Sequence, residues 1–359
     1  MRGLILAGGS GTRLRPITHT GAKQLVPVAN RPIIFYVIDC LAAAGIKEIG
    51  VVVSHETSAE IQSTVGDGSN WDVSITYITQ SRPGGLAHAV LESKDFLGTD
   101  DFCMFLGDNL VGDQMLATAL RFDADKSVSA SLLLKEVPNP TAYGVAEVDR
   151  SGRIVGLEEK PKHPKSDLAL VGIYFFRHDI FDAIAKIGPS RRGELEITDA
   201  INVLIRDGKR VEFSVLGSWW LDTGKKDDLI LANSTVLDDR ARRSVLGSVD
   251  SISSISGRVT IDAGALVEGS IIRGPAAIGP YSIIKNSYVG PYTSIDSGAS
   301  IINSRVENSI IMQGSEVVGA NIADSVLGRR VSVRPAMQKL SKSLCLMVGD
   351  DCKIEIPEE

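Results

Sequence analysis

The sequence predicts an α/β fold, a mostly parallel sheet with helices on both faces, joined to a second domain of stacked β-coils. Three observations carry this expectation. Short continuous apolar runs recur through the first two-thirds of the chain, and segments with apolar residues at helical spacing separate them. Strands that alternate with helices in this way build parallel sheets. Beyond residue 245 the apolar period changes to six, which is neither a helix nor a simple strand period.

Residues 2–7 read as the first strand and run straight into glycine. Asn30 is placed to cap a helix with Pro32 in its first turn. Ile33, Ile34, Val37, Ile38 and Leu41 form its apolar face, and Gly45 lies just past its end. Residues 49–53 are a continuous apolar strand of the kind buried on both faces. The alternating run 73–79 suits a strand near a sheet edge. Residues 86–97 read as a helix, 102–106 as another buried strand, and 129–134, 144–148 and 171–176 as further strands. A helix is expected over 194–206, with Ile197, Ile201, Leu204 and Ile205 on one face. The division expected is a first domain over 1–240 and a coil domain over 245–359.

In the second domain Val259, Ala265, Ile271, Ala277, Ile283, Val289, Ile295 and Ile301 stand six residues apart. Glycines such as Gly264, Gly279 and Gly290 mark the bends. Each strand and turn then forms one face of a triangular coil, and the inward residue stacks on the next coil. The phase slips near Val306 and resumes irregularly at Ile311, Val317 and Val326. An insertion at a corner, or the end of the regular coil, would do this. Residues 335–359 read as a closing segment of mixed structure.

Composition sets the outer limits. A chain of 359 residues is long enough for two domains with real cores. With 43% hydrophobic and 23% charged residues it has ordinary globular composition. No apolar run approaches a membrane span, and no basic segment with a long apolar core marks a signal peptide, so a cytoplasmic protein without a membrane partner is expected. A net charge of −6 argues against a broad nucleic-acid surface. Cys40 and Cys103 fall on apolar elements and read as buried thiols. Cys345 and Cys352 have a spacing that permits a disulfide, which a cytoplasmic chain would keep reduced. The histidines His19, His55, His88, His163 and His178 make no zinc spacing.

The chemistry concentrates in the first 25 residues. Leu6-Ala7-Gly8-Gly9-Ser10-Gly11-Thr12-Arg13-Leu14-Arg15-Pro16 follows the first strand, and Lys23-Gln24-Leu25 follows it. Glycines let backbone N–H groups approach an anion, and Arg13 and Lys23 add fixed cations. A loop at the carboxyl end of a parallel strand is where open α/β sheets bind ligands. The pattern is neither G-x-G-x-x-G nor a Walker loop. Gln80-Ser81-Arg82-Pro83-Gly84-Gly85-Leu86-Ala87 offers an amide donor–acceptor pair beside a glycine that admits a flat base. Asp108 follows the strand 102–106, and Asp222 lies in Trp220-Leu221-Asp222-Thr223-Gly224. Taken alone, both aspartates also suit turn or capping roles. Glu158-Glu159-Lys160-Pro161 likewise reads either as an exposed charged turn or as a carboxylate and cation poised for sugar hydroxyls and phosphate.

Together these segments resemble the signature of the sugar-1-phosphate nucleotidylyltransferases. G-G-x-G-T-R-L-x-P-x-T, K-Q-L-x-P-V and Q-x-x-P-x-G-L-A occur in the family's order over about residues 1–240. The K-Q-L variant is most similar to the thymidylyl branch. The tail resembles the left-handed β-helix of the family's longer members, and the sheet is then Rossmann-like. The resemblance implies dTTP and glucose 1-phosphate as substrates, Mg²⁺ as cofactor, and dTDP-glucose and pyrophosphate as products. It implies a nucleotide site of Leu6, Gly8, Gly9, Gly11, Thr12, Arg13, Gln24, Gln80, Gly85 and Asp108. It implies a sugar-phosphate site of Tyr143, Gly144, Glu159, Lys160, Val171 and Tyr174. Asp108 and Asp222 would hold the metal, and Arg13, Lys23 and Lys160 would carry the catalysis.

UTP in place of dTTP, or another sugar 1-phosphate, fits the same motifs. A second, acyltransferase activity in the coil is disfavoured, because residues 245–359 contain no histidine base. A catalytically silent subunit is disfavoured because Arg13, Lys23 and Asp108 are all present. The coil is expected to build a homo-oligomer, since flat coil faces pack well on copies of themselves.

Overall fold

The structure, a computed structural model, describes residues 1–9, 11–112, 115–335 and 344–356. Part of the expected closing segment 335–359 therefore lies outside the described residues. By compactness the chain forms two units, Met1–Ser10 with Ile34–Asp222, and Gly11–Ile33 with Thr223–Glu359.

The first unit is built on one nine-stranded sheet. Arg2–Leu6 runs parallel to both of its neighbours, Glu48–Val53 and Phe102–Leu106, and Ser74–Thr79 runs parallel to Glu48–Val53 at the edge. In chain order the first three parallel strands are added in one direction. The fourth, Phe102–Leu106, is placed on the far side of the first. The order therefore reverses at Arg2–Leu6, which opens a crevice at the carboxyl ends of these strands. Leu168–Phe176 continues the sheet antiparallel to Phe102–Leu106, and Gly144–Val148 and Ile154–Glu159 extend it. Leu4, Met104, Leu132 and Phe176 are fully buried in the core beside helix Ile197–Arg206.

Several boundaries differ from the sequence expectation, each for a local reason. Asn30 is not a helix cap. Arg31–Pro32 pairs with Pro27–Val28 as a hairpin, Asn30 takes φ +61° in its turn, and the helix begins at Ile33. The expected helix 86–97 breaks at Ser93 into Leu86–Glu92 and Lys94–Leu97. The helix expected over 194–206 starts only at Ile197, because Leu195 bonds through its main chain to Gly84 and Ala87. Cys103 is fully buried, and burial pushes its thiol far up; Cys345 and Cys352 are exposed free thiols, not a disulfide.

In the second unit three parallel sheets of seven, seven and five strands form the faces of the coil, as in a left-handed β-helix. Its repeat is not a multiple of six. Ser254 pairs with Ile271, Ile271 with Tyr288 and Tyr288 with Arg305, so one coil takes seventeen residues. The inward side chains include Val267, Ile272, Ile278, Ile284, Val289, Ile295 and Ile301, spaced five or six apart and all fully buried. Two of the residues chosen by a strict period of six, Ile271 and Ile283, face out at 50% and 38% exposure. The slip near Val306 is a shortening, not an insertion. From there Arg305 pairs with Asn321 and Ser294 with Ile310, sixteen residues on, and Val306, Ile311 and Val317 stay inside.

A buried serine ladder fixes one corner. Ser270, Ser287 and Ser304 each donate to the carbonyl two residues earlier and accept the N–H of the next coil, from Ser287, Ser304 and Ala320. These hydroxyls satisfy main-chain groups that a turning coil leaves unpaired.

Candidate active site

Within the first unit, the candidate residues lie in a row along one edge of the sheet, except Tyr174, which pairs with Met104 inside it. The carboxyl ends of the parallel strands set this edge. Leu6 accepts the Gly107 N–H at 2.9 Å, so Gly8 and Gly9 leave the sheet beside Asp108. On one side Gln80 follows Thr79 and bonds Val53 through its N–H at 2.8 Å. Antiparallel pairing of Ile173 with Phe105 carries Val171 past the same edge on the other side. Gly144 pairs with Glu159, and Ala169 with Val145, at the end of the row.

The Gln80 carboxamide turns back over the loop. A Cβ on Gly8 would stand 3.0 Å from Gln80 Oε1, a tight approach that would press the carboxamide aside. Gln80 Nε2 donates to the Gly85 carbonyl at 3.3 Å and lies 3.1 Å from His88 Nδ1. Gly85 has φ +95°, and a Cβ there would stand 2.6 Å from the Leu195 carbonyl. Glycine is therefore required twice over at this position.

Asp108 and Asp222 approach through a separate two-stranded pair. Trp220–Asp222 runs antiparallel to Asn109–Val111, with Asp222 opposite Asn109. The Asn109 amide donates to Asp108 Oδ1 at 2.8 Å and accepts the Trp220 Nε1–H at 2.6 Å. The Trp220 ring meets Tyr143 edge-on, with centroids 4.9 Å apart. A continuous chain of contacts thus joins Asp108 to Tyr143.

Glu159 faces Gly144, where an added Cβ would lie 3.1 Å from Glu159 Oε2. Lys160 Nζ is 3.3 Å from Glu159 Oε1, and Lys160 holds a left-handed φ of +47° while its N–H bonds Tyr143. Backbone strain of this kind persists where surroundings enforce it, commonly at functional sites. Burial raises Glu159 above the ordinary carboxylate range, against the pull of Lys160 and Arg192. Tyr174 is buried and stacks on Phe176 at 5.8 Å, and burial pushes its phenol far up.

In the second unit Gly11, Thr18 and Lys23 pack together. Gly11 has φ +61°, its carbonyl accepts Thr18 Oγ1–H at 2.7 Å, and a Cβ would stand 3.0 Å from Lys23 Cβ. Thr12 opens the short turn Thr12–Leu14, which carries Arg13. Gly224 sits beside the Arg13 guanidinium; an added Cβ would lie 3.4 Å from Cζ. Lys23 is 5% and Gln24 2% exposed, and Gln24 Oε1 is buried without a hydrogen-bond partner.

Residues 2–239 match the family described as Nucleotidyl transferase. The chain belongs to the nucleotidyl transferase family. It is 47% identical over 357 residues to a glucose-1-phosphate thymidylyltransferase of Streptomyces antibioticus, covering 99% of each chain. It is 43% identical over 359 residues to the low-salt glycan biosynthesis nucleotidyltransferase of Haloferax volcanii, covering 99% of this chain and all of that one. A Bacillus anthracis crystal structure, provisionally named glucose-1-phosphate thymidylyltransferase and solved with sucrose, superposes with TM-score 0.63 at 37% identity. It covers 68% of this chain and 98% of that one.

Sequence reasoning passed over two residues that lie beside these candidate groups. Arg192 lies 3.6 Å from Glu159 and is clamped by Glu194 at 2.9 Å and by both oxygens of the buried Glu196 at 2.9 and 3.0 Å. Burial alone would lower its guanidinium, yet these carboxylates raise it. Thr198 is the other. It lies against Gly144, and its Oγ1 is buried without a hydrogen-bond partner. Thr198 falls in the helix expected over 194–206 and Arg192 just ahead of it; the main-chain bonds of Leu195 to Gly84 and Ala87 hold this stretch beside Gly85.

Proposed function

We propose that the protein transfers a thymidylyl group from dTTP to glucose 1-phosphate, forming dTDP-glucose and pyrophosphate. The observation that carries this reading is the row along the sheet edge. Gln80 and Gly85 stand at one end, Asp108 in the middle, and Gly144 and Glu159 at the other. A nucleotide laid at the switch-point crevice and a sugar phosphate laid over Gly144 then share one edge. The full-length likeness to the Streptomyces antibioticus enzyme supports it.

In this reading a phosphate oxygen of glucose 1-phosphate attacks the α-phosphorus of dTTP in line, and pyrophosphate leaves. The protein positions the two phosphates and neutralises their charge. Gln80 and Gln24 read the pyrimidine edge, and Gln24 Oε1 gains the partner it lacks. Glycines Gly8, Gly9 and Gly11 present N–H groups to the triphosphate. Arg13 and Lys23 meet the charge that grows on the leaving pyrophosphate. Glu159 accepts sugar hydroxyl groups over Gly144, with Val171 and Tyr174 shaping the pocket floor, while Lys160 and Arg192 hold the sugar's phosphate.

Asp108 and Asp222 fit Mg²⁺, which takes one or two carboxylates and leaves its other positions to water and phosphate oxygens. Among the described residues no set of three or more His, Cys, Asp or Glu groups forms a metal cage. When bound there, Mg²⁺ would neutralise phosphate charge. No described helix is long and apolar enough to cross a membrane, and the free thiols suit a cytoplasmic protein. The reacting groups fall within residues 1–240, and the coil domain, 245–359, assembles copies of the chain through its flat faces.

A pyrophosphate-release assay with dTTP, UTP, ATP and GTP against several sugar 1-phosphates tests this function. The highest kcat/KM is expected with dTTP and glucose 1-phosphate. A preference for either purine nucleotide would overturn the base assignment.

A further inference from the structure

The segment Gly11–Ile33 carries Arg13, Lys23 and Gln24, yet it has little regular structure of its own. It contains three single-turn 3₁₀ segments, Thr12–Leu14, Ile17–His19 and Lys23–Leu25, and the two-residue hairpin strands Pro27–Val28 and Arg31–Pro32. Such short turns are weakly held by local bonds. The segment is compact with the coil instead.

Three sets of bonds tie it there. At the hairpin tip, Asn30 Nδ2 donates to the coil carbonyls of Ala277 at 3.2 Å and Ile295 at 2.7 Å. Next to it, the Ala29 N–H donates to Asn233 Oδ1 at 2.9 Å. Asn233 is buried in helix Lys226–Arg240. It donates to the Tyr292 carbonyl at 3.0 Å and accepts the Ser294 hydroxyl at 2.9 Å. At the last coil, Thr20 Oγ1 donates to Asp350 at 2.6 Å, and Asp350 is itself held by Arg329. Gly349 packs so closely that an added Cβ would stand 2.9 Å from the Pro16 carbonyl.

We propose that the coil braces the nucleotide loop: bonds made by Asn30, Asn233 and Asp350 hold the loop bearing Arg13, Lys23 and Gln24 in its nucleotide-ready form. These three are positioning residues and touch no substrate. The inference rests on the reading of that loop as the nucleotide site. If only a fraction of the chains hold the loop in place, apparent nucleotide affinity falls by that fraction. Turnover of the filled complex changes less, because bound nucleotide restores the order.

The test is Asn30→Gly in the full chain. Glycine accepts the φ of +61°, so the substitution removes the two bonds to the coil and leaves the turn unstrained. The KM for dTTP should rise about five- to tenfold, the effect of two ordinary hydrogen bonds. The KM for glucose 1-phosphate and kcat should stay within about twofold. Thr20→Val should give a smaller rise of the same kind. Asn303→Gly, at a coil corner with φ +48°, is the control and should change neither constant. Hydrogen exchange gives a readout that needs no substrate. Amides of residues 11–28 should exchange faster in Asn30→Gly, while those of the coil keep their wild-type rates. A lowered melting temperature with unchanged dTTP KM and unchanged exchange over 11–28 would overturn the proposal. Absence of turnover with dTTP in the wild type would overturn the thymidylyl reading, and the exchange result would still decide the bracing.

Discussion

The groups proposed to meet a nucleoside triphosphate and a sugar phosphate lie in two regions, and each region is held together in its own way. Gln80, Asp108, Gly144 and Glu159 leave the ends of sheet strands, fixed by main-chain ladders over a fully buried apolar core. Arg13 and Lys23 stand on single 3₁₀ turns of a segment that Thr20 and Asn30 bond to the coil through their side chains. The sheet side is rigid by construction. The loop side has only a two-residue hairpin; buried apolar side chains such as Leu14, Ile17 and Val28 hold it together with a few polar contacts, each worth little alone. Perturbation of the coil should therefore reach the nucleotide end first and leave the sugar end intact.

The sharpest way to strain this comparison is at the strand-end carboxylates. Asp108→Asn keeps the shape and the Asn109 contact but loses charge. Turnover should fall on the order of 10³-fold or more, with the melting temperature little changed. Initial rates over a Mg²⁺ titration check it. Full activity of this variant without added metal would remove the metal assignment. On the loop side, Arg13→Ala should lower turnover about 10²-fold, the effect of losing a preorganised charge that acts in the transition state. The loss should fall on kcat more than on the KM for dTTP. A raised KM with unchanged turnover would make Arg13 a binding group only.

A smaller effect separates the sugar end. Burial raises Glu159 above its ordinary 4.5, so the folded state favours its protonated form. The stability this carboxyl contributes is complete below pH 4.5 and is lost as pH rises through its raised value. Glu159→Gln does not titrate, so its stability relative to wild type should grow from acid to neutral pH. The same change should raise the KM for glucose 1-phosphate about tenfold and leave that for dTTP unchanged. Parallel denaturation curves at both pH values would contradict the first part. The smallest effect belongs to the coil interior. Ser287→Ala breaks one rung of the ladder and should cost about 1–2 kcal/mol of stability, with both KM values unchanged. Urea unfolding beside steady-state kinetics measures both.

The two regions also differ in how openly the sequence announces them. Continuous apolar runs such as Phe102–Leu106 coincide with their strands, since a strand buried on both faces needs no neighbour to identify it. The glycine at position 85 is legible because close approach and a positive φ demand it. What stays hidden is set by distant pairing. Asn30 looks like a helix cap until its amide is seen on the carbonyls of Ala277 and Ile295, some 250 residues away. Leu195 looks helical until Gly84 claims its N–H. The coil shows its kind but not its phase. Corners of variable length make a seventeen-residue turn, and a fixed step of six then drifts onto Ile271 and Ile283, which face out. Arg192 is obscure for the same reason, since nothing near it in the chain indicates Glu159.

The central claim is thymidylyl transfer to glucose 1-phosphate. Its most direct test is a competition in one vessel, with equal concentrations of dTTP, UTP, ATP and GTP, glucose 1-phosphate and Mg²⁺. Mass spectrometry of the nucleotide sugars at low conversion then reads relative kcat/KM. The account predicts that dTDP-glucose dominates, with UDP-glucose second. A predominance of ADP-glucose or GDP-glucose, or no nucleotide sugar at all, would contradict it.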